Sequence, residues 1–269
     1  MGEPFSDSFT RRWVNRQIGT TLIPITKWRV YKVSSDKPLS GTSGGRSGAC
    51  ANASVKTHFN VQHMLAAAYF ARKVLDIESN HTDLVDGEPY FAHRGYVTGA
   101  VLSAVASLET TVNDLYIDAQ AANSPTFEGV DPIVPALLAE YWEEIESARI
   151  LRKYQLALIL ARKSKFDQGT SPYQEVDSLI QLRNSLVHYK PEWDTAQREH
   201  RKIESRLQGR FRPNPFTGPN DAFFPKKCLG HGCAEWAIKS GVTFIEEFFS
   251  RLGLSSMFRN YPQELLRTR

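Results

Sequence analysis

Residues 94–122 place apolar side chains at Val97, Val101, Ala104, Val105, Leu108, Val112, Leu115, Tyr116 and Ala119. Steps of three and four along a chain define one face of an α-helix, because the helix turns every 3.6 residues. At 1.5 Å per residue the predicted helix is about 40 Å long. A helix of that length needs other elements along it to bury its apolar face. Gly99, Ala100, Ser103, Ala104, Ala106 and Ser107 are small, so a neighbouring helix can approach closely.

The rest of the chain supplies such neighbours. Residues 61–77 carry Val61, Leu65, Ala68, Tyr69, Val74 and Leu75 at helical spacing. Residues 133–166 predict one or two further helices, and residues 234–252 a last one through Trp236, Ala237, Val242, Ile245, Phe248, Phe249 and Leu252. Asn123-Ser124-Pro125 reads as a turn, and the proline- and glycine-rich stretch 209–232 as irregular chain. Only residues 21–33 alternate like a strand or small hairpin, and Pro24 directs that strand to an edge. The Ser/Gly-rich residues 34–54 read as a loop. The expected fold is therefore all-α, an antiparallel helical bundle over residues 59–254, with a short β or irregular extension over 1–58 and a tail over 255–269.

Composition narrows the class further. An apolar fraction of 41% and a charged fraction of 23% are ordinary for a soluble globular protein. No apolar run reaches the roughly 18 residues that a membrane span needs. The first residues lack the basic and apolar regions of a secretory signal, and Ser6 alone supports a myristoylation site after Met1-Gly2. Three cysteines, an odd number, point away from a disulfide framework and towards a reducing, cytoplasmic setting. Cys228, His231 and Cys233 offer at most three cramped ligands where a structural zinc usually takes four, so a glycine-rich turn is expected there and no metal or other cofactor.

The net charge of +4 is concentrated. Arg198, His200, Arg201, Lys202, Arg206, Arg210 and Arg212 crowd one stretch, opposed by Glu199 and Glu204. Such a run is either a solvated face or a surface that tracks phosphates. On the second reading Lys190, Arg198, Arg201 and Lys202 are the candidate RNA contacts.

Candidate chemistry sits in the helix just before this stretch. Ser171 is expected as its N-cap, Pro172 as its first residue and Gln174 as the reciprocal capping partner. Its apolar stripe is Val176, Leu179, Ile180, Leu186 and Val187, interrupted by Arg183 and Asn184, and Pro191 ends it. Arg183, Asn184 and His188 thus gather within six residues. Arginine can hold a phosphate, histidine can move a proton, and asparagine can orient either. Asn184 and His188 share a face, whereas Arg183 and His188 are roughly 140° apart on an ideal helix. A long arginine, a tightened last turn or a two-fold dimer of the helix would reconcile them. The helix dipole favours imidazolium at His188. On the long helix, Glu109 and Asn113 share a face beside Asp114. A carboxylate at a helix interface finds a cation, and Arg183 is the expected partner, chiefly as a lock between helices.

The run Arg183-Asn184-Ser185-Leu186-Val187-His188, followed by Tyr189-Lys190-Pro191-Glu192-Trp193, resembles the Arg-polar-x-x-x-His motif of HEPN-domain proteins. The upstream segment from Ser103 through Glu109 to Tyr116 resembles the long helix preceding that motif, and the resemblance spans roughly residues 60–252. It implies an all-α bundle and a homodimer whose Arg–His pairs face one cleft. It also implies metal-independent endoribonuclease activity, as in toxin, defence or stress effectors, some of them paired with an antitoxin or regulatory protein. The carry-over is to Arg183, Asn184 and His188, with Glu109, Asn113 and Tyr189 in support. Residues 1–55 and 209–232 have no counterpart in it. Members that have lost catalysis act as binding or assembly modules. The alternative expectation is therefore a non-catalytic helical dimerisation or RNA-binding module.

Overall fold

In the computed structural model, residues 56–121, 124–193, 196–256, 258 and 261–269 are described. The expected strand at 21–33, the loop at 34–54 and Asn123 of the expected turn lie outside these residues. Regular structure among the described residues is entirely helical. Helix α1 (Asn60–Asn80) and helix α2 (Gly87–Ala119) form an antiparallel hairpin. Ser107 Oγ donates to the Asn60 carbonyl at 2.6 Å near one end, and His93 Nε2 meets Glu78 Oε1 at 2.9 Å near the other. Between them a Cβ on Gly99 would come within 3.0 Å of the Phe70 ring, so the small residue makes room for the aromatic one. Phe70 in turn stacks on Tyr96.

α2 has 33 residues, about 50 Å at 1.5 Å per residue, and starts earlier than the apolar pattern indicates. Its first turn, Glu88 and Pro89 after Gly87 at φ +80°, carries no apolar periodicity. Proline is tolerated there because first-turn N–H groups have no intrahelical partner.

The region 133–166 holds three helices rather than one or two: α3 (Ile133–Glu140), α4 (Trp142–Ile145) and α5 (Ile150–Leu160). Trp142, Ile145, Ile150 and Leu151 are all buried, so the apolar pattern runs on through the breaks and conceals them. α5 stops before residue 166 because Arg162 turns to φ 54° and Lys163 N–H reaches back to the Leu158 carbonyl at 2.8 Å.

α6 (Tyr173–Val187) carries the motif. Its expected capping box is not formed. Gln174 N–H donates to the Thr170 carbonyl at 3.0 Å, which leaves the Ser171 hydroxyl no role as cap, and Pro172 precedes the first helical residue. α7 (Glu199–Leu207) returns antiparallel along α6, as the pairs Asp177–Arg206 and Glu175–Arg210 show. α8 (His231–Leu252) closes the bundle and ends at Gly253 in the left-handed region, φ +77°.

The core gathers where α2, α5 and α8 meet. Tyr154 packs edge-on against Phe244 and Phe248, with centroids at 4.9 and 4.6 Å, and its hydroxyl donates to the Leu108 carbonyl at 2.7 Å. Described residues near the C-terminal end of 255–269 contact the helices. Arg72 on α1 donates to the carbonyls of Leu265 and Arg267, and Arg269 pairs with Glu235. None of the described helices is long and apolar enough to cross a membrane.

The chain between α7 and α8 is a strap held at defined points. Asn214 N–H donates to the Lys227 carbonyl at 2.7 Å, and Phe216 packs edge-on against His93. The strap meets α8 at two glycines. A Cβ on Gly230 would lie 2.8 Å from Asn214 Cα, and one on Gly232 would overlap the Arg212 backbone. Within this corner Cys228 and Cys233 are buried, and burial pushes the Cys228 thiol up to about 12. His231 makes its contacts elsewhere, its backbone N–H to Glu78 and its ring to the Thr268 carbonyl. Because backbone cannot yield as a flexible side chain does, Gly232→Ala is expected to cost roughly 1–3 kcal/mol, the range of core overpacking. Chemical denaturation of the variant measures it.

Candidate functional site at the C-terminal end of α6

Leu179 and Leu182 are buried and seat α6 on the bundle, which leaves the last turn at the surface. Arg183 is half-buried and leans towards α2, with Nη2 at 4.0 Å from Glu109 Oε2. This is a loose ion pair, and Arg183 Nε is buried without a hydrogen-bond partner. The expected Arg183–Glu109 juxtaposition is therefore present, as an approach at the limit of pairing. His188 is the residue capping α6. Its backbone N–H donates to the Asn184 carbonyl at 2.9 Å, and its side chain is exposed, with no partner among the described residues. The helix thus ends at Val187, ahead of Pro191. Asn184 is half-buried beside them.

Asn113 is engaged elsewhere. Its side-chain carbonyl accepts from Lys153 Nζ at 2.8 Å. Lys153 on α5 is 2% exposed, and its ammonium lies 5.4 Å from the Trp142 ring. Burial lowers its pKa, while the carboxylates of Glu109 and then Glu146 pull the other way. Glu109 thus answers to two cations, Arg183 on α6 and Lys153 on α5. Sequence reasoning missed Lys153. Its signal is a lysine in register with Ile150, Tyr154 and Ala157, all on the buried face of α5. Asp114, next to this group in sequence, pairs with His58 at 3.1 Å.

The chain after His188 is tied down by α7. The Tyr189 ring stacks on His200, with centroids 5.4 Å apart, so Tyr189 serves packing at this point. Buried His200 also binds the Lys190 carbonyl through Nε2 at 3.1 Å. Glu192 then folds over the start of α7 and accepts from the backbone N–H groups of Arg198, Glu199 and His200 at 3.0, 3.1 and 3.2 Å. These are the orphan donors of a helix N-terminus. They hold the Glu192 carboxyl below its ordinary range, the Glu199 N–H foremost.

The basic stretch divides into two parts. Lys202, Arg206 and Arg210 are paired with Glu199, Asp177 and Glu175, and His200 is buried. Lys190, Arg198 and Arg201 are exposed, and their side chains have no carboxylate partner among the described residues. These three lie at the end of α7 that stands beside His188, as the Tyr189–His200 stack fixes. Among the described residues no group of three or more His, Cys, Asp or Glu could hold a metal ion. The chain matches no family model, no curated protein and no solved structure.

A carboxyl whose folded pKa is depressed contributes stability above its unfolded value, and that contribution is lost as pH falls through the folded value. For Glu192 the window opens below 4.5. The protection factors of the Arg198, Glu199 and His200 amides, measured against their intrinsic exchange rates, are expected to fall as the pH is lowered through that window. In Glu192→Gln those amides should be less protected already at neutral pH, with protection that changes less on acidification. Hydrogen-exchange mass spectrometry reads both.

Proposed function

We propose that this chain is a metal-independent endoribonuclease of the HEPN type that works as a homodimer. The observation that carries the reading is the exposed end of α6. There an unpartnered His188 imidazole, a loosely held Arg183 guanidinium and three unneutralised cations, Lys190, Arg198 and Arg201, occupy one region of the surface. In the proposed reaction neutral His188 accepts the proton of an RNA 2′-hydroxyl. The 2′-oxygen forms a bond to the adjacent phosphorus as the bond to the 5′-oxygen breaks, and the leaving oxygen takes a proton from an imidazolium or from water. The products are a 2′,3′-cyclic phosphate and a 5′-hydroxyl. Arg183 stabilises the charge gathering on the phosphorane oxygens, and a bidentate guanidinium suits that task. Lys190, Arg198 and Arg201 hold the flanking backbone, so binding weakens steeply with salt.

Arg183 leans into the bundle while His188 faces outwards, so a second copy of the helix end supplies the complementary group. Val187 is 53% exposed and Trp193 82% exposed, an unusual amount of apolar surface beside the motif and suited to a two-fold contact.

In EDTA, the wild-type protein is expected to cut RNA to cyclic-phosphate ends, and His188→Ala to lose at least roughly 100-fold of that rate, the usual worth of a general base. End analysis of labelled RNA measures it. Equal cleavage by both proteins, or none by either, would leave a non-catalytic helical interaction module as the better account. Val187→Asp should shift the protein from dimer to monomer in sedimentation velocity and lose cleavage with it.

A further inference from the structure

A cleft of about 960 Å³ opens at the other end of α6, bounded by the start of α6, the strap and α8. Glu175 and His188 are separated along α6 by roughly 20 Å at 1.5 Å per residue, so this cleft is distinct from the motif site. Gly232, Glu235, Trp236, Lys239, Ser240 and Thr243 line one wall, at the spacing of a single face of α8. Arg212 enters from the strap, its backbone lying directly on Gly232.

The charges of this cleft do not cancel. Each of its three carboxylates is already taken. Glu78 accepts from the His231 backbone N–H and meets His93. Glu175 accepts from Trp236 Nε1 at 2.6 Å and pairs with Arg210. Glu235 takes Arg269 at 3.0 and 2.8 Å. Arg212 and Lys239 line the same cleft, are exposed, and have no hydrogen-bond or ion-pair partner among the described residues. The four arginine and lysine side chains of the lining outnumber its three carboxylates by one, and Arg212 and Lys239 are the two left to meet an anion from outside. The same lining includes the Phe211 and Trp236 rings, tilted against one another at 5.2 Å. The volume lies within the range of small-molecule sites, about 300–1,000 Å³.

We propose that this cleft binds a nucleoside phosphate, either as a free nucleotide or as the terminal nucleotide of an RNA strand. Arg212 and Lys239 take the phosphate, the first as a fork and the second as a point charge. The base lies against Phe211 and Trp236, where an aromatic face rewards stacking without selecting the base. The proposal stands on the cleft alone and does not depend on the nuclease reading.

Isothermal titration of the full chain with 5′-AMP, adenosine and inorganic phosphate tests it, together with a short RNA ending in a 5′-phosphate. AMP is expected to bind saturably, with adenosine and inorganic phosphate each weaker by roughly tenfold or more. The double variant Arg212→Ala/Lys239→Ala should lose roughly tenfold or more of AMP affinity. Both side chains are exposed, and an unchanged thermal melt establishes that the variant is folded. Competition by the RNA at similar affinity identifies a strand end as the source, and RNA weaker than AMP identifies a free nucleotide. AMP binding that survives the double variant would overturn the proposal, as would no AMP binding at millimolar concentration. Inorganic phosphate binding as tightly as AMP would overturn the aromatic half of the site and with it the ligand class. None of these readings uses RNA cleavage, so their outcome is separate from that of the cleavage assay.

Discussion

Everything in this bundle depends on burying α2. From Ala100 on, its buried residues come in neighbouring pairs, Ala100 and Val101, Ala104 and Val105, Ser107 and Leu108, Thr111 and Val112, Leu115 and Tyr116, Asp118 and Ala119, which makes the buried face wide. A face that wide cannot be covered by one partner. α1 packs along it as the other arm of a hairpin, α8 along a second flank, and α5 and α6 at the end that holds Glu109. The small side chains set how closely these partners approach, and approach sets the dispersion energy gained. The loose contact of Arg183 with Glu109 follows from the same packing, since the seats of Leu179 and Leu182 fix where α6 crosses α2.

The polar groups caught inside this packing are treated in two ways. Most are fully met. His93 and Glu78 meet between α1 and α2, Tyr116 and Tyr154 donate to main-chain carbonyls, and Gln155 bonds both the N–H and the carbonyl of Phe166. Thr111 Oγ1 and His200 Nδ1 are buried without a hydrogen-bond partner, and Lys153 is a costly case of another kind. An ammonium brought to 2% exposure loses hydration that one amide oxygen and an aromatic face restore only in part, so its proton is held less firmly. Towards the surface the groups at the end of α6 are left less satisfied, with Arg183 Nε unpaired and His188 unpartnered.

The all-α class, the long helix, the hairpin partner and the last helix were legible because apolar side chains recur at the helical period. The breaks within 133–166 were not. Trp142, Ile145 and Ile150 keep the period while the backbone turns between them. The start of α6 was misread for a related reason. Serine, proline and glutamine stood at capping positions, yet the competing acceptor, the Thr170 carbonyl, belongs to backbone geometry that no residue type announces. In the same way Arg183, Asn184 and His188 could be singled out by residue type and spacing. That Asn113 would be spent on Lys153, and Tyr189 on His200, depends on elements brought together from far apart in the chain.

The sequence by itself determined what is local. Periodicity fixed where the chain is helical and which face turns inwards. It also placed an arginine and a histidine near the end of one helix, out of line with each other. Tertiary structure alone decided which charges remain free. Lys202, Arg206 and Arg210 look no different in sequence from Arg198, Arg201 and Arg212, but α7 lies antiparallel on α6 and brings two of the first three against Asp177 and Glu175. Whether a cation is neutralised depends on what stands within a few ångströms of it, since Coulomb energy falls with distance and solvent screens the rest. Those neighbours come from segments that only folding joins.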